Sequence, residues 1–566
     1  MCCSNKAVEV IESDEKNNNP SKNSKKSKES ESSNIDEIES KIDSKNVTNT
    51  NILNGDKFSG FDKKKLLLSA ENAVEVEKYD DAIDIYKYLI NKYKKDVNSY
   101  FNLGKLYAKM GLYEKAIDIF NKGIKHSKNK DAFYLNKGVC LFNLGRYEEA
   151  IEAYDEGIKI DQKDHNLFLN KGVALNQLKR YEEAIDCFKA GILLTTDDPS
   201  LYNNLGVSYF RLKQYENSIE YFDEAIKLKP EDHLQYVNKG VSLKGLRKYD
   251  EALELFNKAK ELAPKDPVIY YNIAIIYKLK RDYNNSIKYF DLAIDLNKKY
   301  LSAYYHKGIT LNNMGKQEEA LECFNKCLEL NPNYDFAYLN KGIAYDIMGR
   351  KEESLEQYNK ALELNPKFAE AYLNKGITLY NEGRYEEALE NYDKAIECND
   401  KMATAYNNKG VCLFRLKRYD EAIDCYNKAL EINPRYIDVY INKGICYRDM
   451  GKLNNAEEQF IKALQLETDY YLAYFHLGII YSKKDKKFFN KAKDYFDLSI
   501  QNNPNYSDSY FYKGCLEMRM GLFGDAIQSF LKCKKLRKNN DEECEKKIKE
   551  CTLEVNKILN QQYNNY

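Results

Sequence analysis

Residues 335–368, DFAYLNKGIAYDIMGRKEESLEQYNKALELNPKF, contain the pattern that decides the fold. Tyr338 lies four residues before Gly342, and a small residue lies four residues before Tyr358. Residues four apart share one face of an α-helix, so the segment predicts two amphipathic helices. Gly349 lies between them, where glycine can take the left-handed backbone that ends a helix. The segment is therefore predicted to form a helix-turn-helix.

The glycine of this segment recurs along the chain every 34 residues. The interval holds for eleven steps with one alanine in place of glycine, and a last step of 36 residues leads to Gly514. These positions, which we call the glycine slot, are Ala70, Gly104, Gly138, Gly172, Gly206, Gly240, Ala274, Gly308, Gly342, Gly376, Gly410, Gly444, Gly478 and Gly514. A fixed period of this length is the sequence signature of a repeat architecture. Fourteen repeats are predicted.

Other positions of each repeat recur with the glycine slot. An aromatic residue precedes it by four in every repeat but the first, and a small residue followed four later by an aromatic one opens the second half. Acidic pairs such as Glu148 and Glu149 begin the second helix, where negative charge meets the positive end of the helix dipole. Asn-Pro steps such as the one ending at Pro366 close repeats, because proline cannot continue a helix.

These positions together resemble the tetratricopeptide repeat, whose unit is a 34-residue helix-turn-helix. The resemblance covers the chain from residue 63 to residue 540. It implies an all-α, right-handed superhelical solenoid of about fourteen repeats, whose first helices line a concave groove. One departure recurs, because lysine often replaces the leucine that the family has before the glycine slot. We expect the lysine stem to pack and its amine to reach water.

The predicted organisation has three parts. Residues 1–62 are rich in Ser, Asn, Lys and acidic residues, which predicts a disordered tail. Residues 541–566 place apolar side chains on one helical stripe, which predicts a capping helix and tail. Between them lies the array, with repeats 63–96, 97–130, 131–164, 165–198, 199–232, 233–266, 267–300, 301–334, 335–368, 369–402, 403–436, 437–470, 471–506 and 507–540.

Composition and motifs exclude several classes of function. The chain has 88 basic and 88 acidic residues, and this balance argues against binding of nucleic acid. The sequence contains no phosphate-binding glycine loop, nucleophile elbow or His-Cys spacing typical of a zinc site, so we expect no enzyme, no cofactor and no metal. Without an apolar membrane span or secretory signal, the predicted location is the cytoplasm. The cysteines within the repeats are interpreted as packing residues.

A row of asparagines, which we call the asparagine ladder, is the candidate binding site. It lies two residues before the glycine slot and comprises Asn102, Asn136, Asn170, Asn204, Asn238, Asn272, Asn340, Asn374, Asn408 and Asn442, with interruptions at His306, His476 and Tyr512. Asparagine is a poor helix former, so its recurrence asks for a reason. In similar superhelical repeat proteins this position faces the groove, where side-chain amides can bond the backbone of an extended peptide. Duplication alone, or a bond within the same repeat, would also explain the row.

The expected partners are other proteins. Tetratricopeptide domains that clamp acidic chaperone tails need asparagine directly after the glycine slot, but here that position is mostly Val or Ile, as in Val139 and Ile343. Chaperone tails are therefore not expected, and an apolar or extended peptide segment fits better. Cys2 and Cys3 could be acylated, which would be the only route to a membrane.

The sequence supports three functional interpretations. The first is a scaffold or adaptor that captures extended partner segments in its groove. The second is a structural subunit of a large assembly, similar to tetratricopeptide subunits of the cell-cycle ubiquitin ligase or of ciliary transport particles, with self-association possible. The third is a substrate-docking array for a separate enzyme, as in glycosyltransferases that carry similar repeats.

Overall fold

The computed structural model describes residues 58, 60–537 and 541–564, with side chains to residue 560. The possible lipidation sites Cys2 and Cys3, and nearly all of the predicted N-terminal tail, lie outside the described residues. The chain divides into two compact units, with the division between His306 and Lys307.

The first compact unit consists of consecutive helix pairs. Its helices are α1 (Lys63–Glu75), α2 (Tyr79–Lys92), α3 (Val97–Lys109), α4 (Tyr113–Ile124), α5 (Asp131–Asn143), α6 (Tyr147–Ile160), α7 (His165–Gln177), α8 (Tyr181–Leu194), α9 (Pro199–Arg211), α10 (Tyr215–Leu228), α11 (His233–Gly245), α12 (Tyr249–Leu262), α13 (Pro267–Leu279) and α14 (Tyr283–Leu296). Helix α15 (Leu301–Asn313) contains the boundary between the two compact units.

The second compact unit continues the alternation. Its helices are α16 (Gln317–Leu330), α17 (Asp335–Ile347), α18 (Lys351–Leu364), α19 (Ala369–Asn381), α20 (Tyr385–Cys398), α21 (Ala403–Arg415), α22 (Tyr419–Ile432), α23 (Ile437–Asp449), α24 (Leu453–Leu466), α25 (Tyr471–Lys483), α26 (Phe489–Asn502), α27 (Ser507–Met520), α28 (Phe523–Leu536) and α29 (Glu542–Asn564). A 3₁₀ turn at Lys486–Phe488 contains the two-residue insertion. The predicted all-α solenoid class is confirmed.

A single residue with a left-handed backbone ends the first helix of most repeats. It lies seven residues after the glycine slot, where glycine has φ near 78° at Gly349 and lysine has φ near 61° at Lys213. The residues of this turn are Glu77, Gly111, Gly145, Lys179, Lys213, Arg247, Arg281, Gly315, Gly349, Gly383, Lys417, Gly451 and Gly521. Six of these residues are not glycine, so the repeat imposes the turn even where a side chain makes it costly.

The core of each repeat lies where the second helix presses an aromatic ring on the glycine slot. A Cβ on Gly104 would stand 2.3 Å from Phe120 Cε1, and one on Gly206 would stand 2.7 Å from Phe222 Cε1. The phenylalanine rings are fully buried. Close packing between the two helices of a repeat therefore explains why glycine recurs at this slot along the chain.

The lysines before the glycine slot join neighbouring repeats. Lys171 Nζ lies 2.6 Å from Asp155 Oδ1, and Lys513 Nζ lies 2.5 Å from Asp497 Oδ1. Each aspartate belongs to the second helix of the preceding repeat. These amines stay partly exposed and in addition pair with an acid sixteen residues earlier, which the sequence pattern did not predict.

The chain ends in a long helix on the last repeat. Helix α29 packs against α28 through Cys544 and Cys551, both fully buried. Ile558 and Leu559, further along α29, are exposed. A search of the described residues finds no helix long and apolar enough to cross a membrane.

Candidate functional site

The first helices of successive repeats lie side by side on one face of each compact unit. Helix α7 contacts α9 in the first unit, and α17 contacts α19 in the second. Second helices pack between first helices, as α18 does between α17 and α19. The asparagine ladder runs along the first helices, so its members follow one another across this face.

Most ladder asparagines bond to their own helix. Asn170 Nδ2 donates to the carbonyl of Asn166 at 2.7 Å, and Asn374 Nδ2 donates to the carbonyl of Glu370 at 2.7 Å. The members that bond the carbonyl four residues earlier are Asn136, Asn170, Asn204, Asn272, Asn340 and Asn374. This bond uses one of the two N–H groups and leaves the amide oxygen outside it. It also fixes the orientation of the side chain.

The ladder is not uniformly accessible. Asn204, Asn238 and Asn272 are at most 1% exposed, and Asn136 is also buried. The remaining members are partly exposed, and they are Asn102, Asn170, Asn340, Asn374, Asn408 and Asn442. The accessible part of the ladder therefore lies mainly in the second compact unit, where four members follow in succession.

Two ladder asparagines bond to the preceding repeat. Asn238 Nδ2 donates to Asn203 Oδ1 at 3.0 Å, and Asn442 Nδ2 donates to Asn407 Oδ1 at 3.0 Å. Both acceptors are the first residue of an Asn-Asn pair, at a position that is apolar in the other repeats. Adjacent asparagines in the sequence were the signal that could have predicted this arrangement.

The two histidines that interrupt the ladder each lie beside a basic residue; His476 is buried and His306 is partly exposed. Lys278 Nζ lies 3.2 Å from His306 Nδ1, and Arg448 Nη1 lies 3.0 Å from His476 Nδ1. Burial, aided by the positive neighbour, lowers the pKa of His306 well below its usual value and lowers the pKa of His476 to about 3. Both rings are therefore neutral and accept a hydrogen bond from the cation.

The residues after the glycine slot lie on the same helices as the ladder. They are partly exposed at Val139, Ile309, Ile343, Ile377, Val411 and Ile445 and buried at Val173, Val207 and Val241. Partly exposed aliphatic side chains next to amides make a surface that is both apolar and capable of hydrogen bonding. Such a surface has the chemistry of a groove for an extended peptide.

The structure brings together one group of potential metal ligands that the sequence reasoning missed. Cys533, Asp541 and Cys544 each place a ligand atom within 4.8 Å of the other two. The spacing of histidines and cysteines in the sequence does not reveal this group, because it contains no histidine and its two cysteines lie on different helices. The twelve described cysteines are all free thiols.

A solenoid of 34-residue helix pairs defines the class of protein, and sequence comparisons identify the family. Models described as tetratricopeptide repeat or TPR repeat match residues 140–179, 174–213, 199–232, 236–266, 267–300, 302–334, 323–356, 347–383, 369–402, 403–436 and 425–458. Together these matches span more than half of the chain. The chain belongs to the tetratricopeptide repeat family, which supports a protein-interaction scaffold or assembly subunit.

Two further family models match the ends of the array. The model of anaphase-promoting complex, cyclosome, subunit 3 matches residues 75–157, and that of anaphase-promoting complex subunit 5 matches residues 470–557. Both segments consist mainly of the helix pairs found elsewhere in the chain.

The comparisons with solved structures gave matches with low TM-scores. A crystal structure of the APC/C hetero-tetramer Cut9-Hcn1 is 17% identical, with a TM-score of 0.40, 81% of this chain covered and 97% of that chain. A crystal structure of MamA is 28% identical, with a TM-score of 0.27, 28% of this chain covered and 94% of that chain. The comparison with curated proteins returned no match.

Proposed function

We propose that this protein is a non-catalytic adaptor that binds extended segments of partner proteins along its first helices. The main support for this function is a run of partly exposed ladder asparagines in the second compact unit, namely Asn340, Asn374, Asn408 and Asn442. Spaced one repeat apart, their amides can bond the backbone of a peptide at regular intervals.

The bond that Asn374 makes within its own helix supports this function and does not compete with it. The Asn374 side chain is anchored by one N–H, and its amide oxygen has no hydrogen-bond partner among the described residues. An anchored side chain loses less conformational freedom when a ligand binds. Ile343 and Ile377 beside the ladder supply apolar contact for alternate side chains of the peptide.

The test compares proteins captured from a lysate by the wild-type chain and by a variant with alanine at Asn340, Asn374, Asn408 and Asn442. We expect a defined set of partners to be lost while helicity is kept. Once a partner segment has been identified in this way, replacing single backbone N–H groups of the segment by N-methyl groups should weaken binding. The reason is that the ladder amides are proposed to form hydrogen bonds with the peptide backbone.

The matched control replaces three asparagines of second helices in the same compact unit by alanine. They are Asn325, Asn359 and Asn427. Capture should be unchanged in this control. If the ladder variant captures the same proteins as the wild type, or if N-methylation has no effect on binding, the ladder is a product of duplication and this function is wrong.

A structural subunit of a large assembly is the second candidate. The observation that favours it is the match of both ends of the array to subunits of the anaphase-promoting complex. An assembly subunit of this kind would bind through its terminal repeats, so the four ladder substitutions would leave binding intact. Deletion of residues 541–566 would reduce it, and light scattering would show whether the chain associates with itself.

A further inference from the structure

The last repeat and the terminal helix bring together three side chains of types that can ligate a metal ion. Cys533 lies on α28, Cys544 lies on α29, and Asp541 precedes α29. The two sulfurs and a carboxylate oxygen all lie within 4.8 Å of one another. Both cysteines are fully buried, so their thiols face each other inside the contact between the two helices.

The start of α29 fixes the orientation of Asp541. Its Oδ1 accepts hydrogen bonds from the backbone N–H of Cys544 and of Glu543, each at 3.1 Å. The other oxygen, Oδ2, then faces Cys544 Sγ at 3.3 Å. A ligand before a helix and a second ligand three residues later form a short chelate, and Cys533 adds a third donor from the facing helix.

The charge around the group suits a bound dication. Arg537 contacts Asp541 Oδ2 and Asp508 Oδ1, each at 2.5 Å. Two thiolates and one carboxylate around a divalent cation carry one net negative charge. The guanidinium of Arg537 would offset that charge, and Asp508, whose side chain is 40% exposed, would leave one negative charge that water can solvate.

We propose that Cys533, Asp541 and Cys544 form a site for a thiophilic divalent cation such as Zn²⁺. Cys533 Sγ, Cys544 Sγ and Asp541 Oδ2 are the ligands, and water completes the tetrahedron. Zn–S bonds of about 2.3 Å and Zn–O bonds of about 2.0 Å require only small movements of these atoms. Both thiols lose their protons to solvent on binding, and the metal fastens α29 to the last repeat.

The test uses Co²⁺ as a spectroscopic probe, with the full-length reduced chain carrying Cys2→Ser and Cys3→Ser to remove thiols outside the site. We expect one Co²⁺ per chain, a thiolate-to-cobalt charge-transfer band, and displacement of Co²⁺ by Zn²⁺. The band should be lost in Cys533→Ser and in Cys544→Ser. It should persist in Cys551→Ser, which replaces a buried cysteine of the same helix that is not a ligand.

A second readout needs no variant at the site. Zn²⁺ added to the reduced protein should release two protons per cation and raise the melting temperature of the C-terminal repeats. Absence of the cobalt band, or its persistence when Cys533 and Cys544 are both serine, would overturn the proposal. So would a reduced protein that binds no metal but forms a Cys533–Cys544 disulfide with an added disulfide oxidant, since the pair would then be a redox element.

Discussion

Gly342 and the ring of Tyr358 occupy adjoining space in one repeat, so that a Cβ on the glycine would stand 2.5 Å from Tyr358 Cε1. The tyrosine ring is 1% exposed and cannot swing outward without losing its burial. Replacing Gly342 by alanine should destabilise the chain by about 1–3 kcal/mol, the usual effect of overpacking a core. Urea unfolding followed by circular dichroism measures the change.

The glycine slot contains its own control. Ala274 occupies the same position in the first compact unit and is fully buried beside Tyr271 and Ile275. The change Ala274→Gly should destabilise the chain by about 1–2 kcal/mol for a different reason, because it removes a buried methyl group and puts glycine inside a helix. Equal unfolding midpoints for Gly342→Ala and the wild type would show that Tyr358 moves freely and that packing does not explain the slot.

Lys213 holds a left-handed backbone that glycine would adopt with less strain. Its φ is 61°, a region that costs an L-residue about 1–2 kcal/mol. Glycine at residue 213 would remove this backbone strain, but glycine is also more flexible in the unfolded chain, which offsets part of the stabilisation. The variant Lys213→Gly should therefore stabilise the chain by about 0.5–1 kcal/mol. The reverse change, Gly315→Lys, should cost a similar amount in thermal unfolding. The two variants should change stability in opposite directions, so a rise for both would contradict the explanation by backbone strain.

Lys239 and Asp223 join two successive repeats through atoms 2.5 Å apart. The lysine side chain is 19% exposed and the aspartate is 42% exposed, so solvent screens the pair. A double-mutant cycle with Lys239→Met and Asp223→Asn should give a coupling energy of about 0.5 kcal/mol that falls with added salt. A coupling energy of zero at low salt would show that the contact does not join the repeats.

The same position holds asparagine in other repeats, which gives a complementary test. Lys375 Nζ contacts Asn359 Oδ1 at 2.8 Å, and burial lowers the pKa of Lys375. The change Asn359→Asp should raise that pKa and stabilise the chain by up to about 0.5 kcal/mol. Loss of stability in Asn359→Asp would mean that ordering the two side chains costs more than the attraction between the carboxylate and the lysine returns.

The features that the sequence predicted are those that depend on residues close together in the chain. The glycine slot and its aromatic neighbours repeat within single helices, so their period is visible without a structure. The pairing of Lys239 with Asp223 depends on how two repeats pack, and the grouping of Cys533 with Cys544 depends on where α29 docks. Neither relation is periodic or local, so the sequence pattern could not show it.

The asparagine ladder shows the same distinction. Its position on the first helices follows from the period, but the burial of Asn204, Asn238 and Asn272 does not. Asn204 accepts a hydrogen bond from Ser208 at its carbonyl, and Asn238 donates to Asn203, so their burial depends on which side chains neighbouring positions hold. Identical residues at identical repeat positions can therefore differ in access to a ligand.

His476 makes stability depend on pH in a window above the range of most carboxylates. Its ring stacks on Phe460 and accepts a hydrogen bond from Arg448, and burial lowers its pKa from 6.5 to about 3. In the unfolded chain the imidazole takes up a proton as the pH falls through 6.5, whereas in the folded chain it stays neutral. The free energy of unfolding should therefore decrease as the pH is lowered, by about 2 kcal/mol between pH 7 and pH 5.

The variant His476→Asn places the ladder residue at this position and removes the titrating group. Urea unfolding at pH 7 and pH 5 should show a decline in stability that is about 2 kcal/mol smaller in this variant than in the wild type. His126→Asn, which changes an exposed imidazole, is the matched control and should follow the wild-type curve. If His476→Asn declines in parallel with the wild type, the buried ring takes up a proton in the folded state and Arg448 must move away from it.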